Sequence, residues 1–559
     1  MDKTWEIQPK KYDDVILQLL YSRGVISQLK DEKKIDSFFK PDFTRDLHDP
    51  NLLPDIKKAI KRIVRAVENN EVIGIFADYD ADGIPGAALM YKTFIALGNR
   101  VEVFIPNREQ GYGLGEEGIN YLIERKCRLI ITVDLGIRNH KEADYCKSKN
   151  MDLIITDHHL PDETLPKASA VINPMRHDSK YPFRGLSGAG VAYKIVQALS
   201  KQYPKQIDQA FLKWNLDLVA ISTIADVVPL QDENRTIAKY GLIVLNKTKN
   251  IGLAELVRFV GMKDKCLPAY AVAFQIAPRI NAPGRIDHAT KSFKLLTTQN
   301  HQEAKELASW LNDKNIERQE AMEKLYQEAV EKVEKDKLAK NHIIIVAGDW
   351  LKGILGPSAS QIVEKYNRPA IVFSSKDDIY SGSARSVEGI NIVSIFEKMK
   401  KYLIRFGGHK GAAGLSLTKN KFKTFSEQII KYCNKNIDEK LLTPKIKVDM
   451  EIEAKDLGLN LYDKVLQFEP FGMGNSKPVF VLRNAIMEFP KFVGRESKHL
   501  SLQLVIGNKR FKAIYFSYLE DRDIIKHGNK FDVVFSLSED NWNDERKLSL
   551  NIIDLKLIS

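Results

Sequence analysis

The chain has 559 residues, 44% of them apolar and 28% charged, so it is too long for one core and apolar enough to fill roughly three or four. Its 85 Lys and Arg against 73 Asp and Glu leave a net charge of +12 and a pI near 9.1, a balance that suits a polyanionic partner such as nucleic acid and fits a lysine-rich proteome equally well. Cys127, Cys146, Cys266 and Cys433 are scattered without a CxxC pair, which argues against a zinc site and for reduced thiols in a cytoplasm; Met1 to Lys10 lacks the apolar core of a signal peptide, and no run nears the ~20 apolar residues of a membrane span.

Residues 1 to about 45 read as a helical lead-in, with Val15, Ile16, Leu19 and Leu20 at helical spacing and Pro41 as a break. From Ile56 the pattern alternates: a helix to about Glu68, a strand over 72–76, a helix from Pro85 to Leu97, a strand from Val101 to Ile105, a helix near 116–126, a strand over 129–133, a helix over 140–149 and a strand over 153–156. That order predicts a parallel sheet with helices on both faces, whose ligands gather at the carboxyl ends of the strands. Leu216 to Leu230 reads as a nearly all-apolar helix broken by Asp226, a carboxylate that needs a partner or a metal in such surroundings. Residues 301 to about 337 carry an intermittent apolar stripe (Leu307, Leu311, Met322, Leu325, Ala329, Val333) and predict one or two long linking helices. A second α/β unit begins with a strand from His342 to Ala347. Its Ser381–Ser386 turn combines hydroxyls, free N–H groups and Arg385 in an anion nest, and the stretch from Phe406 to Gly414 is a second glycine-rich turn. From about 444, the runs 446–453, 478–482, 500–505, 511–516, 531–537 and 548–557 alternate like β-strands and fit an oligonucleotide-binding barrel. Lys509, Arg510, Phe511 and Tyr515 are its basic and aromatic residues, although alternate aromatics are more often core.

The chemistry follows from crowding at the strand ends. Val72 to Phe76 runs into Asp78-Tyr79-Asp80-Ala81-Asp82-Gly83, Leu129 to Val133 runs into Asp134, and Leu153 to Ile155 runs into Thr156-Asp157-His158-His159. A lone Asp here is most often a helix N-cap and a lone His a satisfied polar group. Together, Asp78, Asp80, Asp82, Asp134 and Asp157 cannot all be ionised at one edge without cations between them, and metal ions are the simplest answer. Oxygen ligands with one or two imidazoles suit Mn²⁺ or Mg²⁺, the imidazoles favouring Mn²⁺. Two such ions about 3.5–4 Å apart would hold a phosphate, activate a water and stabilise a leaving oxygen.

In order and spacing, Asp78 to Gly83, Thr132-Val133-Asp134 and Asp157-His158-His159 resemble the first three motifs of the DHH phosphoesterase superfamily, and the chain from about 70 to 480 is similar to its RecJ branch, the single-strand-specific DNA exonucleases. The resemblance makes Asp226 the fourth acidic motif. It implies Asp80, Asp82, Asp134, His158 and Asp226 as metal ligands, with Asp78 and His159 as further candidates; Asp157 joins the catalytic set either directly or by orienting its neighbours. Pro106 to Leu114 is similar to the RecJ loop that narrows the entrance to single strands, where Arg108 would fork onto a phosphate and Tyr112 would stack on a base; without the family it reads as a surface turn. Pro278 to Arg285 resembles the next motif, with Arg279 and Arg285 as phosphate contacts, and Glu469 to Asn475 resembles the linker into the barrel. In the DHH-associated domain, Ser383 and Arg385 would hold a terminal phosphate and His409 would face the metals across the cleft. The sequence departs from the family at Trp350-Leu351-Lys352-Gly353, where leucine stands in place of the usual histidine, and at Pro357, where an aliphatic residue is usual.

The expected architecture is α/β: a lead-in over 1–45, a DHH catalytic domain over 46–300, connecting helices over 301–340, a DHH-associated substrate domain over 341–440 facing the first across a cleft, and an oligonucleotide-binding barrel over 441–559. The expected activity is metal-dependent exonucleolysis of single-stranded DNA, with two ions, Mn²⁺ favoured over Mg²⁺. The resemblance alone adds 5′-to-3′ direction, a role in DNA repair and recombination, and partnership with a single-strand-binding protein and a repair helicase; the chain is expected to be a monomer. Two other readings stay open: a phosphodiesterase for short oligonucleotides or polyphosphate, which the barrel argues against, and a single-strand binder that has lost activity, for which Leu351 is the one supporting feature.

Overall fold

The computed structural model describes residues 3–28, 31–107, 113–262, 266–518, 522–540 and 545–558. The apolar runs form the strands Val72–Ala77, Val101–Phe104, Cys127–Val133 and Asp152–Thr156, joined by the helices Gly83–Ala96, Glu116–Glu124 and His140–Ser148. All pair in parallel, in the spatial order Val101–Phe104, Val72–Ala77, Cys127–Val133, Asp152–Thr156, Ala170–Ile172. The chain thus leaves Val72–Ala77 to one side and returns on the other, which opens a crevice beyond the ends of Val72–Ala77 and Cys127–Val133. Asp78 and Asp134 are the residues that follow those two ends. The edge strand Ala170–Ile172 is an addition to the sequence reading, too short for alternation to register. One sheet face packs Phe76, Ile130 and Ile155 against Ile119, Leu122 and Ala143. Helix Gly188–Ser200, buried on nearly every side, packs against Gly83–Ala96 and the sheet.

The predicted helix through Leu230 ends at Ala225, and Asp226 is its C-terminal flanking residue. The linking stretch is one 35-residue helix, His301–Lys335, started by Asn300, whose side chain accepts the amides of Gln302 and Glu303. At 1.5 Å per residue it is roughly 50 Å long. It buries Ala304, Ala308, Leu311, Leu325, Ala329 and Val333, most of the predicted stripe. The second α/β domain has the strand order Arg405–His409, Ala412–Thr418, Ile379–Arg385, Ala370–Ser374, Ile344–Gly348, with only the last pair parallel.

Two expectations are corrected there. Ser381 to Arg385 is not a turn: it lies in the strand Ile379–Arg385, hydrogen-bonded to Ala370–Ser374 on one side and Ala412–Thr418 on the other. The ladder on both sides satisfies the backbone groups that a Ser/Gly run would otherwise expose, and this overrides the local turn propensity. The glycines from Phe406 to Gly414 likewise form a hairpin of two antiparallel strands, not one loop.

The last section is a closed five-stranded barrel of Phe480–Val493, His499–Ile506, Lys509–Tyr515, Lys547–Leu557 and Lys530–Asp540, with the first strand pairing back onto the last. Phe511 and Tyr515 lie in its core, as alternation predicts. The expected strand 446–453 is split into Lys445–Val448 and Met450–Glu451; the former pairs in parallel with Thr4–Ile7, a strand absent from the helical reading of the lead-in. His48–Val228 with Ile237–Thr443 make one compact unit, holding both α/β domains and the long helix, and Met1–Leu47, Pro229–Thr236 and Pro444–Ser559 make the other. Among the described residues no helix is long and apolar enough to cross a membrane, and the four cysteines are unpaired.

Candidate metal centre

The strand ends and Asp226 converge. Donor atoms of Asp78, Asp80 and Asp134, of Asp82, His158 and Asp226, and of Asp134, His158 and His159 form three overlapping groups, each with its atoms within 4.8 Å of one another. His158 Nε2 is the hub, at 3.1 Å from Asp134 Oδ1, 3.6 Å from Asp82 Oδ2 and 3.6 Å from Asp226 Oδ2. This buried nitrogen makes no hydrogen bond of acceptable geometry among the described residues. Donors that converge on shared points rather than on one another are what hard divalent cations require, so the residues present fit a metal.

Each acid is held by something specific. Asp82 precedes helix Gly83–Ala96 without capping it. Its carboxylate instead accepts the amides of Gly188 (2.7 Å) and Ala189 (2.8 Å), at the start of another helix, and the Ser222 hydroxyl (2.6 Å). Ser222 Oγ lies 2.6 Å from Ser187 Oγ, the N-cap of that helix. The oriented amides place partial positive charge on an acid surrounded by acids. A side chain on Gly188 would come within 2.6 Å of Asp134 Cγ, so only glycine lets the helix approach. Asp80 Oδ1 accepts the amides of Asp82 and Gly83. Asn281 Oδ1 accepts the Ala81 amide at 2.6 Å and braces the same loop from 200 residues away. Asp157 accepts from the amides of Ile137, His158 and His159 and lies 2.7 Å from His159 Nδ1, and it belongs to none of the three donor groups. Asp134 and Val227, beside Asp226, both take the left-handed region, with φ of 65° and 57°. Such strain in non-glycine residues gathers at functional sites.

The electrostatics match the crowding. Burial, then the charges of Asp82, Asp80, Asp78 and Asp226, holds the Asp134 carboxyl well above its ordinary value. Burial, then Asp82 and Asp80, pushes Asp226 up to about 9. Burial followed by Asp82 also raises Asp80. His159 is raised to about 9: burial opposes its charge, but the bond to Asp157 outweighs it. Asp157 is lowered, the His159 bond and backbone donors outweighing burial.

In the second α/β domain, burial lowers the pKa of His409, and next the positive charges of Arg138 and His159 lower it further, so His409 lies within reach of the charge on His159. Arg385 lies with Ser383 (NH1 to Oγ, 3.2 Å) at the start of helix Leu355–Tyr366, where a side chain on Gly356 would meet Arg385 NH2 at 2.8 Å. Arg385 has no carboxylate partner among the described residues, so a guanidinium and helix amides face the same small space. Arg285 donates to the Gly353 carbonyl at 3.1 Å and its charge acts on Asp80, so it ties the two domains together beside the acids. Arg279 stands apart from the donor groups, bonded to Asn312 Oδ1 and the Gln275 carbonyl. Leu351 is 46% exposed. Arg108 and Tyr112 lie outside the described residues. Sequence reasoning missed Ser187, Gly188, Ser222 and Asn281. The run Ser187-Gly188-Ala189-Gly190 before an apolar helix is the signal that pointed to an N-terminus able to receive an anion.

A cluster of this kind at the switch point of a parallel sheet, followed in the chain by a second α/β domain, is the arrangement of a DHH protein, and the model of the DHH family, N-terminal domain, matches residues 72–223. The DHHA1 domain matches 340–435 and the RecJ OB domain 448–554. The single-stranded-DNA-specific exonuclease RecJ of Bacillus subtilis (strain 168) is 34% identical over 560 residues, 98% of this chain and 70% of its own length; that of Escherichia coli (strain K12) is 30% identical over 536, covering 92% and 91%. The chain belongs to the RecJ family. Its fold is similar to the crystal structure of RecJ in complex with Mn²⁺ from Thermus thermophilus, with a TM-score of 0.82 and 27% identity over 100% of this chain and 80% of that one. A structure of the same protein with Mg²⁺ matches at 0.76.

Proposed function

We propose that the protein is a divalent-metal-dependent exonuclease that degrades single-stranded DNA from the 5′ end, acting in repair and recombination in the cytoplasm. The observation that carries this reading is the convergence of Asp78, Asp80, Asp82, Asp134, His158, His159 and Asp226 in three overlapping donor groups. Relatives covering nearly the whole chain bear the name of single-stranded-DNA-specific exonucleases and support the substrate class. The closed barrel supports a polymeric substrate over a dinucleotide or polyphosphate, and the intact acids argue against an inactive binder.

Asp78, Asp80, Asp82, Asp134, His158, His159 and Asp226 would hold divalent cations, which when bound would supply positive charge for a phosphate oxygen and acidity for a water. Two ions, with Mn²⁺ preferred for the imidazoles, would suit three groups linked in a chain, one joined to its neighbour through His158 and the next through Asp134. The protein's own residues do the rest. Asp82 is fixed by Gly188, Ala189 and Ser222, and Asp157 fixes His159, so the ligands need no reorganisation when substrate arrives. Arg385, Ser383 and the helix start at Gly356 bind the terminal phosphate, and His409 donates or accepts a hydrogen bond at the scissile group from the opposite wall. Leu351 removes one imidazole from this wall and leaves the acids untouched. A single-strand-binding protein and a helicase as partners, and a monomeric state, follow from the family alone.

Asp134→Ala tests the assignment: turnover of single-stranded DNA falls to background while the strand still binds. Retained turnover refutes Asp134 as a ligand, and lost binding refutes the separation of metal centre from strand grip.

A further inference from the structure

The donors of the metal centre are not equally enclosed. Asp78, Asp82 and Asp134 are buried, whereas the side chains of His159 and Asp226 keep 32% and 29% of their surface, so the cluster opens to solvent past these two. The residue after each of them is an exposed aliphatic: Leu160, after His159, is 48% exposed, and Val227, after Asp226, is 56% exposed. Leu160 stands on a fixed backbone. The Asn173 side-chain amide donates to the His159 carbonyl at 2.8 Å, and Arg138 Nε donates to the Leu160 carbonyl at 2.8 Å. Val227 is held against strain. Its φ is 57°, and among the described residues it is the only β-branched residue with a positive φ. Left-handed backbone crowds a branched Cβ, and the same region is filled at Asn70, Asn150, Asn367 and Asn484 by asparagine, which tolerates it. A turn that only had to carry the chain past Asp226 would be served as well by asparagine or glycine, so it is the isopropyl group that the strained position presents. Two aliphatic side chains standing in water at the mouth of one polar site suit a ligand that carries apolar surface beside its charge. A bare polyphosphate has no such surface, and the bases of a nucleic acid do.

We propose that Leu160 and Val227 form an apolar rim at the mouth of the metal centre and pack against the bases of the nucleotides on either side of the scissile phosphate. The proposal rests on the exonuclease reading above and deepens it, because it makes the bases part of what the site binds. Every base has an apolar face, so the contact positions the strand without reading its sequence, and it favours a nucleic acid over a polyphosphate at the same metals.

The test compares cleavage, in Mn²⁺, of an oligodeoxythymidine and of a strand of equal length built from abasic deoxyribose phosphates. The full chain is used as wild type, Leu160→Ala and Val227→Asn, with thermal melting and calorimetric Mn²⁺ titration of each. Wild type is expected to prefer the strand with bases, and each variant to lose roughly tenfold of that preference in kcat/KM, the lower end of what one small apolar contact provides. Mn²⁺ affinity stays at the wild-type value, and Val227→Asn melts at or above wild type because asparagine accepts the left-handed turn. Equal cleavage of both strands by wild type, or an unchanged preference in both variants, overturns the inference and leaves the exonuclease reading standing. Weakened Mn²⁺ binding by Val227→Asn, with the preference intact in Leu160→Ala, overturns it in favour of a turn that merely places Asp226. If wild type cleaves neither strand, the exonuclease reading falls and the inference falls with it.

Discussion

Ser222 offers a sharp perturbation of the metal centre because it is not itself among the donors. Its hydroxyl is fully buried, donates to Asp82 Oδ1 at 2.6 Å, and receives the Ser187 hydroxyl at 2.6 Å, while Ser187 Oγ in turn accepts the Gly190 amide at 3.2 Å. Ser222→Ala removes one charge-assisted hydrogen bond of about 1.5–3 kcal/mol and leaves the Ser187 hydroxyl without its acceptor. Asp82 keeps the Gly188 and Ala189 amides, so the carboxylate stays near the site with freedom to turn. Loss of a group that orients a ligand typically costs about 10–100-fold in metal affinity, and the same range follows from the hydrogen-bond energy at 1.4 kcal/mol per decade. Calorimetric titration of Mn²⁺ into chelator-treated protein reads this directly. Ser222→Ala is expected to bind Mn²⁺ about 10–100-fold more weakly with its fold intact, and Ser222→Cys, similar in volume with a weaker donor, should fall between. Wild-type affinity in Ser222→Ala, beside abolished binding in Asp82→Asn, would falsify the idea that the Ser187–Ser222 chain orients Asp82.

Arg385→Ala should erase most of the preference for a phosphorylated strand end, a loss of about 1.5–3 kcal/mol or roughly 10–100-fold in kcat/KM on the phosphorylated substrate, with the unphosphorylated one little changed; equal losses on both would show that Arg385 does not read the terminal phosphate. Asp226, at about 9, and Asp134, well above its ordinary value, are raised in the metal-free fold. The stability they contribute is therefore fully present below the unfolded value of about 4 and is lost as pH rises through the folded values. Metal-free protein should thus melt lower at about pH 8.5 than at about pH 6, by more than Mn²⁺-loaded protein does, and Mn²⁺ binding should release protons measurable as a buffer-dependent heat. A metal-free melting temperature that rises over that range, with no proton release, would contradict the crowding.

The strand ends were legible because parallel strands are short apolar runs with the next residues forced to one edge, so Asp78, Asp134 and Asp157 announced themselves by position alone. The barrel was legible for a similar reason, alternation over Leu500 to Val505 and Leu548 to Leu557 being the imprint of one buried face. What could not be read was whatever depends on distant pairing. Ser222 meets Asp82 across 140 residues and Asn281 meets Ala81 across 200, and neither contact has a local pattern. Thr4–Ile7 is a strand only because Lys445–Val448 offers it an edge. Ser381 to Arg385 carries turn residues, and two neighbouring strands override them.

The most direct test is to follow product lengths with time when the purified protein meets Mn²⁺ and a long single strand labelled at its 3′ end, beside the matching duplex and beside a reaction containing chelator. The labelled strand is predicted to shorten steadily from its 5′ end while the duplex and the chelated reaction stay intact. Tight binding without shortening in Mn²⁺ or in Mg²⁺ would contradict the account and leave a single-strand binder in its place.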